Sequence, residues 1–159
     1  MSELSDDFIA NRPIVITDLD GTVADCRHRE HLAQNKEWDA FHSLIPDDKP
    51  HIDVCTMLQA LKTEEFLLIG VTGRPYRNYQ ATTEWLMQHS VPLDILLMRS
   101  DTDFRSDTVV KEELLFSLFE GDRERALKRV LFILEDRDKM VEHWRNLGFK
   151  CWQVRHGGY

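Results

Sequence analysis

Two aspartates, two positions apart at the end of an apolar run, are the residues of this chain best placed to do chemistry. Ile14, Val15 and Ile16, preceded by Pro13, read as a buried strand, and Asp18-Leu19-Asp20-Gly21-Thr22 follows at once. Residues i and i+2 of an extended chain share a face, so both carboxylates can leave the strand end into one crevice. Like charges that close call for a cation or a shared proton. Gly21 permits a tight turn that carries backbone amides and the Thr22 hydroxyl round the same spot. An apolar strand gains no stability from such an ending, so the pattern reads as chemistry rather than as a solvated turn.

The elements that must position these acids follow from periodicity and breakers. Residues 1–12 read as a flexible leader and 13–159 as one domain. Residues 24–44 are polar with scattered apolar positions, predicting one helix or two short ones, and Pro46-Asp47-Asp48-Lys49-Pro50 breaks them. Val54, Cys55, Leu58 and Leu61 recur at helical spacing. A second apolar strand over 66–71 ends at Thr72-Gly73-Arg74-Pro75, and a helix over about 76–89 precedes a third strand over 93–98. The polar loop 99–106 leads to Asp107, predicted as the N-cap of a helix with Val110, Leu114 and Leu118 on one face. A fourth strand over 130–134 ends at Glu135-Asp136. Met140, Val141, Trp144 and Leu147 mark an amphipathic helix that Gly148 closes, and 149–154 is a fifth strand before the tail 156–159. Strands alternating with helices predict a doubly wound α/β domain around a mostly parallel five-stranded sheet, covered on both faces.

A chain of 159 residues can bury a full core without staples. The formal net charge of −8 excludes a broad nucleic-acid-coating surface, yet leaves room for a local arginine cluster that grips one phosphate or one strand end. Cys26, Cys55 and Cys151 are odd in number and far apart, which is neither a disulfide framework nor a metal pair. The acidic start is unlike a signal peptide and no apolar run reaches membrane-spanning length, so the expectation is a cytoplasmic protein with no membrane partner.

Ligands of such folds bind beyond the carboxyl ends of the strands. The polar residues expected there are Asp18 and Asp20, Thr72-Gly73-Arg74, and Glu135-Asp136, with Lys111 in the first turns of the helix after strand three. Acids from two strands can build the oxygen-only site that Mg²⁺ takes. A hydroxyl, a lysine and arginines beside it suit the oxygens of a phosphoryl group. A carboxylate nucleophile with a metal and a lysine is a workable phosphoryl-transfer site.

In their order and their positions on the elements, Asp18-Leu19-Asp20-Gly21-Thr22, Thr72, Lys111 and Glu135-Asp136 resemble the four motifs of the haloacid dehalogenase superfamily of phosphohydrolases. A tighter similarity over residues 13–159 is to the 3′-phosphatase domain of bacteriophage-type polynucleotide kinase–phosphatases. It is carried by Val71-Thr72-Gly73-Arg74, by the run from Asp107 to Glu113, by Glu135-Asp136-Arg137 and by residues 144–154. The resemblance implies a Rossmann-like fold and a Mg²⁺-dependent phosphomonoesterase that removes a 3′-phosphate from a nucleic-acid end through an aspartyl-phosphate. By position it implies Asp18 as nucleophile, and Asp20 as general acid and then base. Thr72 and Lys111 would hold the phosphoryl oxygens, with Asp107, one turn earlier, orienting Lys111. Arg29, Gly73 and Arg74, with Asp107, would serve substrate binding. Asp18, the Asp20 carbonyl and the Glu135-Asp136 pair would hold Mg²⁺, Asp136 being the preferred ligand of the pair. Two departures stand out. No Gly-x-x-x-x-Gly-Lys-Ser/Thr loop is present, so the kinase half is expected to be absent and a separate kinase or ligase partner is expected; and Glu135 stands where the phage pattern has aspartate.

The segment between the first two strands is too short for a large cap, so only a minimal one is expected. An open site fits a nucleic-acid 3′ end, DNA or RNA, and also a free mononucleotide, which makes a nucleotidase the rival enzyme. A phospho-accepting receiver domain would place its aspartate at the end of strand three, where Leu96-Leu97-Met98-Arg99 stands instead; a silent end-binding module would not need the acid pair. Among other residues, Arg27 reads as solvated and His28 as the histidine nearest the site. Trp38, Trp85, Trp144 and Trp152 read as core or rim packing. Arg99 and Arg105 read either as solvated or as contacts to a substrate phosphate.

Overall fold

A computed structural model describes residues 12–157. Nearly all of the expected leader and the last two residues of the expected tail lie outside the described residues. The chain runs β1 (Ile14–Thr17), β2 (Ala24–Asp25), α1 (Glu30–Gln34), α2 (Trp38–Ser43), β3 (Lys49–Pro50), α3 (Ile52–Thr63) and β4 (Leu67–Pro75). It continues through α4 (Tyr79–Gln88), β5 (Ile95–Arg99), α5 (Asp107–Ser117), α6 (Arg123–Arg129), β6 (Val130–Glu135), α7 (Asp138–Asn146) and β7 (Cys151–Gln153).

Successive strand residues point to opposite faces, and β1 is apolar on both. Ile14 and Ile16 enter one core cluster and Val15 the other. A strand buried on both sides belongs inside a parallel sheet, and β1 sits at the centre of the order β5-β4-β1-β6-β7, with every pairing parallel. Leu115 and Phe116 of α5, Ala126 of α6 and Trp144 of α7 cover one face. Val54 and Leu58 of α3, with Trp85 and Leu86 of α4, cover the other. The α/β architecture read from the alternation of elements is the one observed.

Local differences have local causes. Residues 24–44 hold two short helices behind a short strand, because β2 pairs antiparallel with β3 (Ala24 opposite Pro50). Pro50 is tolerated there because the pair is only two residues long and Pro50 closes it, so its missing N–H interrupts no ladder. The N-cap of α5 is Ser106, and Asp107 is the first helical residue, its carboxylate drawn away by two arginines. The β5 strand begins two residues later than expected and β7 is shorter at both ends.

Parallel strands bring all their carboxyl ends to one edge. Asp18 follows β1, Thr72, Gly73 and Arg74 lie near the end of β4, Arg99 ends β5, and Glu135-Asp136 closes β6. That edge rests on the helical face below it. Trp144 is fully buried and meets Phe149 edge-on, with ring centroids 5.9 Å apart. Trp144→Ala should destabilise the fold by about 3–5 kcal/mol; urea unfolding at unchanged m-value measures it, and a loss below about 1 kcal/mol would remove Trp144 from the core.

Candidate active site

The site is built on a turn that closes on one carbonyl. The N–H groups of Thr22, Val23 and Ala24 all donate to the Leu19 carbonyl, at 3.1, 2.9 and 3.0 Å. Gly21 takes φ +83°, and a Cβ there would lie 2.0 Å from Asp136 Oδ2, so both the turn and the close approach require glycine. The turn swings Thr22 back over the strand end, where its hydroxyl donates to Asp18 Oδ2 at 3.2 Å.

Asp18, Glu135 and Asp136 are buried together, each offering an oxygen within 4.8 Å of the others. One buried cation answers them. Lys111 Nζ donates to Asp18 Oδ1 at 2.6 Å and to Glu135 Oε2 at 3.0 Å. Glu135 Oε1 accepts the Asp136 N–H at 3.2 Å, whereas the buried Asp136 Oδ2 has no partner among the described residues. Arg137, at the edge of the cluster, also favours the charged form of Glu135, yet three carboxylates still outnumber the positive charges the described residues place around them. Burial, then repulsion from Glu135, raises the Asp18 carboxyl to about 7. Burial, then Asp18 and Glu135, raises Asp136 to about 9. Burial alone would lower the Lys111 ammonium, but Asp18 and Glu135 outweigh it and raise its pKa.

Two residues on, Asp20 meets the opposite field. Arg74 Nη2 and Arg29 Nη2 each donate to its Oδ1 at 2.6 Å, and Arg74 Nε donates to Oδ2 at 3.0 Å. Burial would raise the Asp20 carboxyl, yet Arg74 and Arg29 drive it far below the usual carboxylate range. Asp48 balances the second guanidinium, accepting from Arg29 at 2.7 and 2.5 Å and from Arg74 at 3.4 Å. The Arg29 guanidinium carbon also lies 4.0 Å from the centroid of the Phe41 ring.

A crevice of about 650 Å³ opens over this edge and exposes Asp18, Asp20, Thr72 and Gly73 on its lining. Arg29 and Arg74, which sequence reasoning placed among the substrate contacts, do not line it; they stand behind Asp20, fully buried. The Asp107 carboxylate does not hydrogen-bond Lys111. It pairs with Arg99 and Arg137 and packs against Gly73, tying the ends of β4, β5 and β6 together. Arg99 lines the crevice with its guanidinium engaged: it donates to the carbonyls of Gly73, Asp103 and Arg105 as well. Arg105 is held by Asp103 and Glu113. Among the described residues the histidine on the crevice is His42 rather than His28, whose Nε2 lies 2.9 Å from Asp48 Oδ1. Burial, with Arg74 and Arg29, lowers His42 to about 4.

Sequence reasoning missed Asp48, His42 and the lining role of Arg137. Asp48 lay inside a stretch whose prolines read as a helix break. The one signal for it was charge arithmetic: two buried arginines around one aspartate demand a second acid.

Residues 12–159 match the family described as the polynucleotide kinase PNKP phosphatase domain. Among solved structures, the chain is similar to one in the Pnkp1/Rnl/Hen1 RNA repair complex, with 29% identity and a TM-score of 0.75 over 93% of this chain and 44% of that one. A second Pnkp1/Rnl/Hen1 complex gives 30% identity and a TM-score of 0.75 over 93% of this chain and 47% of that one. The chain therefore spans less than half the length of these relatives. CbbY from Rhodobacter sphaeroides, solved in complex with phosphate, shares 13% identity at a TM-score of 0.63, covering 94% of this chain and 88% of that one, a likeness of fold alone.

The acid cluster makes stability depend on pH. Carboxyls whose folded pKa is raised above the ordinary 3.8 stabilise the fold fully below about pH 4 and lose that contribution as pH rises through about 7 for Asp18 and about 9 for Asp136. Chelator-treated protein should therefore melt lower at about pH 9 than at about pH 7, a window clear of the opposite shift of His42. Asp136→Asn should flatten that slope. An equally steep decline in the variant would show that the cluster is not its source.

Proposed function

Since the chain belongs to the polynucleotide kinase PNKP phosphatase-domain family of haloacid dehalogenase phosphohydrolases, and is a phosphatase, we propose that it removes the 3′-phosphate from a nucleic-acid end, with Mg²⁺ and through an aspartyl-phosphate on Asp18. The observation that carries this reading is Asp18 itself, on the crevice lining between Lys111 and Thr22, with Asp20 two residues away.

In the proposed reaction an Asp18 oxygen forms a bond to phosphorus as the bond to the 3′-oxygen breaks, and Asp20 gives its proton to that oxygen. Arg29 and Arg74 keep Asp20 ionised in the resting site. In the proposal that proton enters with the substrate as a phosphate monoanion, whose charge acts against the two guanidinium groups and favours its passage to Asp20. Water then attacks the aspartyl-phosphate while Asp20 takes its proton, which releases phosphate and restores Asp18. Lys111 and Thr72 are the groups proposed to steady the phosphoryl oxygens.

The residues present fit a divalent cation. Three buried carboxylates share one lysine, and Asp136 Oδ2 has no partner among the described residues. Asp18, Asp136 and the Asp20 carbonyl are the proposed ligands; Glu135, whose two oxygens are engaged by Lys111 and the Asp136 N–H, is proposed as a ligand of lesser weight. Bound Mg²⁺ supplies the missing positive charge and draws electron density from the phosphoryl oxygens. The similarity to a chain of an RNA repair complex supports a nucleic-acid end as substrate and other repair enzymes, a kinase or ligase, as working partners.

Phosphate release from 3′- and 5′-phosphorylated DNA and RNA oligonucleotides and from mononucleotides tests the proposal. The 3′-phosphorylated strands should be the best substrates; preference for free mononucleotides would make the protein a nucleotidase instead. Asp18→Asn should abolish turnover in a folded protein, and Asp20→Asn should slow it by roughly 10²–10⁴. Chelation should stop release and Mg²⁺ restore it. Undiminished turnover under chelation would overturn the metal assignment.

A further inference from the structure

The crevice has a wall that phosphate chemistry leaves unused. Trp38, at the start of α2, is 46% exposed although it is the largest kind of apolar side chain, and it lines the same crevice as Asp18 and Thr72. Its indole is braced: His42 stacks against it at 6.3 Å and 26°, and Phe41 meets it edge-on at 5.9 Å. Phe104, in the segment after β5, is 87% exposed and lines the crevice too. Arg77 holds the two segments in relation to each other. Its backbone N–H donates to Asp101 Oδ1 at 2.7 Å, in the segment of Phe104, and its guanidinium donates to Asp39 Oδ1 at 2.9 Å, beside Trp38. Two large aromatics left exposed beside a phosphate-handling centre, Trp38 braced by its neighbours, gain nothing for the fold by staying in water.

We propose that Trp38 is the stacking platform for the nucleobase of the terminal nucleoside, the one that carries the scissile 3′-phosphate. The inference rests on the phosphatase reading of Asp18 and adds what the site grips beyond the phosphate. A planar base offers the flat, polarisable face that an exposed indole takes, whereas a sugar phosphate without a base does not. Stacking is sequence-tolerant because every base has such a face, so the platform selects a nucleoside-terminated end without reading which base it is. A protein partner fits less well, because Trp38 lies within the crevice that holds Asp18.

The test compares two oligonucleotides, one ending in an ordinary nucleoside 3′-phosphate and one in an abasic 3′-phosphate. Wild-type protein should show a KM roughly 10- to 100-fold lower for the nucleoside end. In Trp38→Ala that ratio should fall close to one, and in Trp38→Phe most of it should survive. Equal KM values in the wild type, or an unchanged ratio in Trp38→Ala, would overturn the proposal; a loss of activity on both ends that leaves the ratio intact would assign Trp38 a structural role instead. A binding measurement separates this failure from that of the phosphatase reading. With Asp18→Asn protein in Mg²⁺, the fluorescence of 2-aminopurine deoxyriboside 3′-phosphate should be quenched when Trp38 is present and not in the double variant with Trp38→Ala. Quenching that persists without Trp38 refutes the platform whether or not phosphate is ever released.

Discussion

Three carboxylates and one ammonium group share the buried ends of β1 and β6, and the charge they leave uncompensated constrains everything around them. Burying like charges is costly, and a fold tolerates it only when other elements are fixed to relieve it. Here α5 docks so that Lys111 reaches both Asp18 and Glu135. The turn after β1 contains a glycine because a side chain there would collide with Asp136. One carboxylate oxygen stays unanswered by the described residues even so. A cluster of this kind is a poor way to stabilise a protein, and such perturbed acids collect at functional sites.

The neighbouring acid shows the opposite solution. Asp20 and Asp48 face Arg29 and Arg74, two acids against two bases, in a quartet that closes on itself. Two carboxylates separated by one residue thus titrate in opposite directions, Asp18 upward because burial and Glu135 oppose its charge, Asp20 downward because two guanidinium groups favour it. Roles in acid–base chemistry follow from such divergence more than from residue type. The guanidinium groups reach the crevice at one remove: they hold Asp20, and Asp20 lines it.

The short excursion between β1 and β4 does more than join two strands. It contributes Arg29 and Asp48 to the quartet behind Asp20, and Trp38 and His42 to the crevice. Backing for the acid and a wall for the ligand therefore come from one segment, and Arg77 links it to the loop after β5. A change in how this segment packs would move both at once.

How much of this was legible in the sequence depends on the range of each interaction. Strand identity, the parallel sheet and the acids at its edge were readable because they rest on local patterning: Ile14 to Ile16 read as a buried strand, and residues that end parallel strands share an edge by construction. The order of motifs brought Lys111 to that edge as well. What the sequence could not say is which charges meet. Arg74 finds Asp20 across 54 positions and Lys111 finds Asp18 across 93. Asp107 was open to reading as a helix cap or a lysine partner until Arg99 and Arg137 claimed it. Asp48 looked like part of a loop, and Arg29 and Arg74 looked like ligands for substrate. A charged side chain has no preferred partner in sequence; it takes the opposite charge that packing leaves beside it, and burial then sets what that pairing is worth.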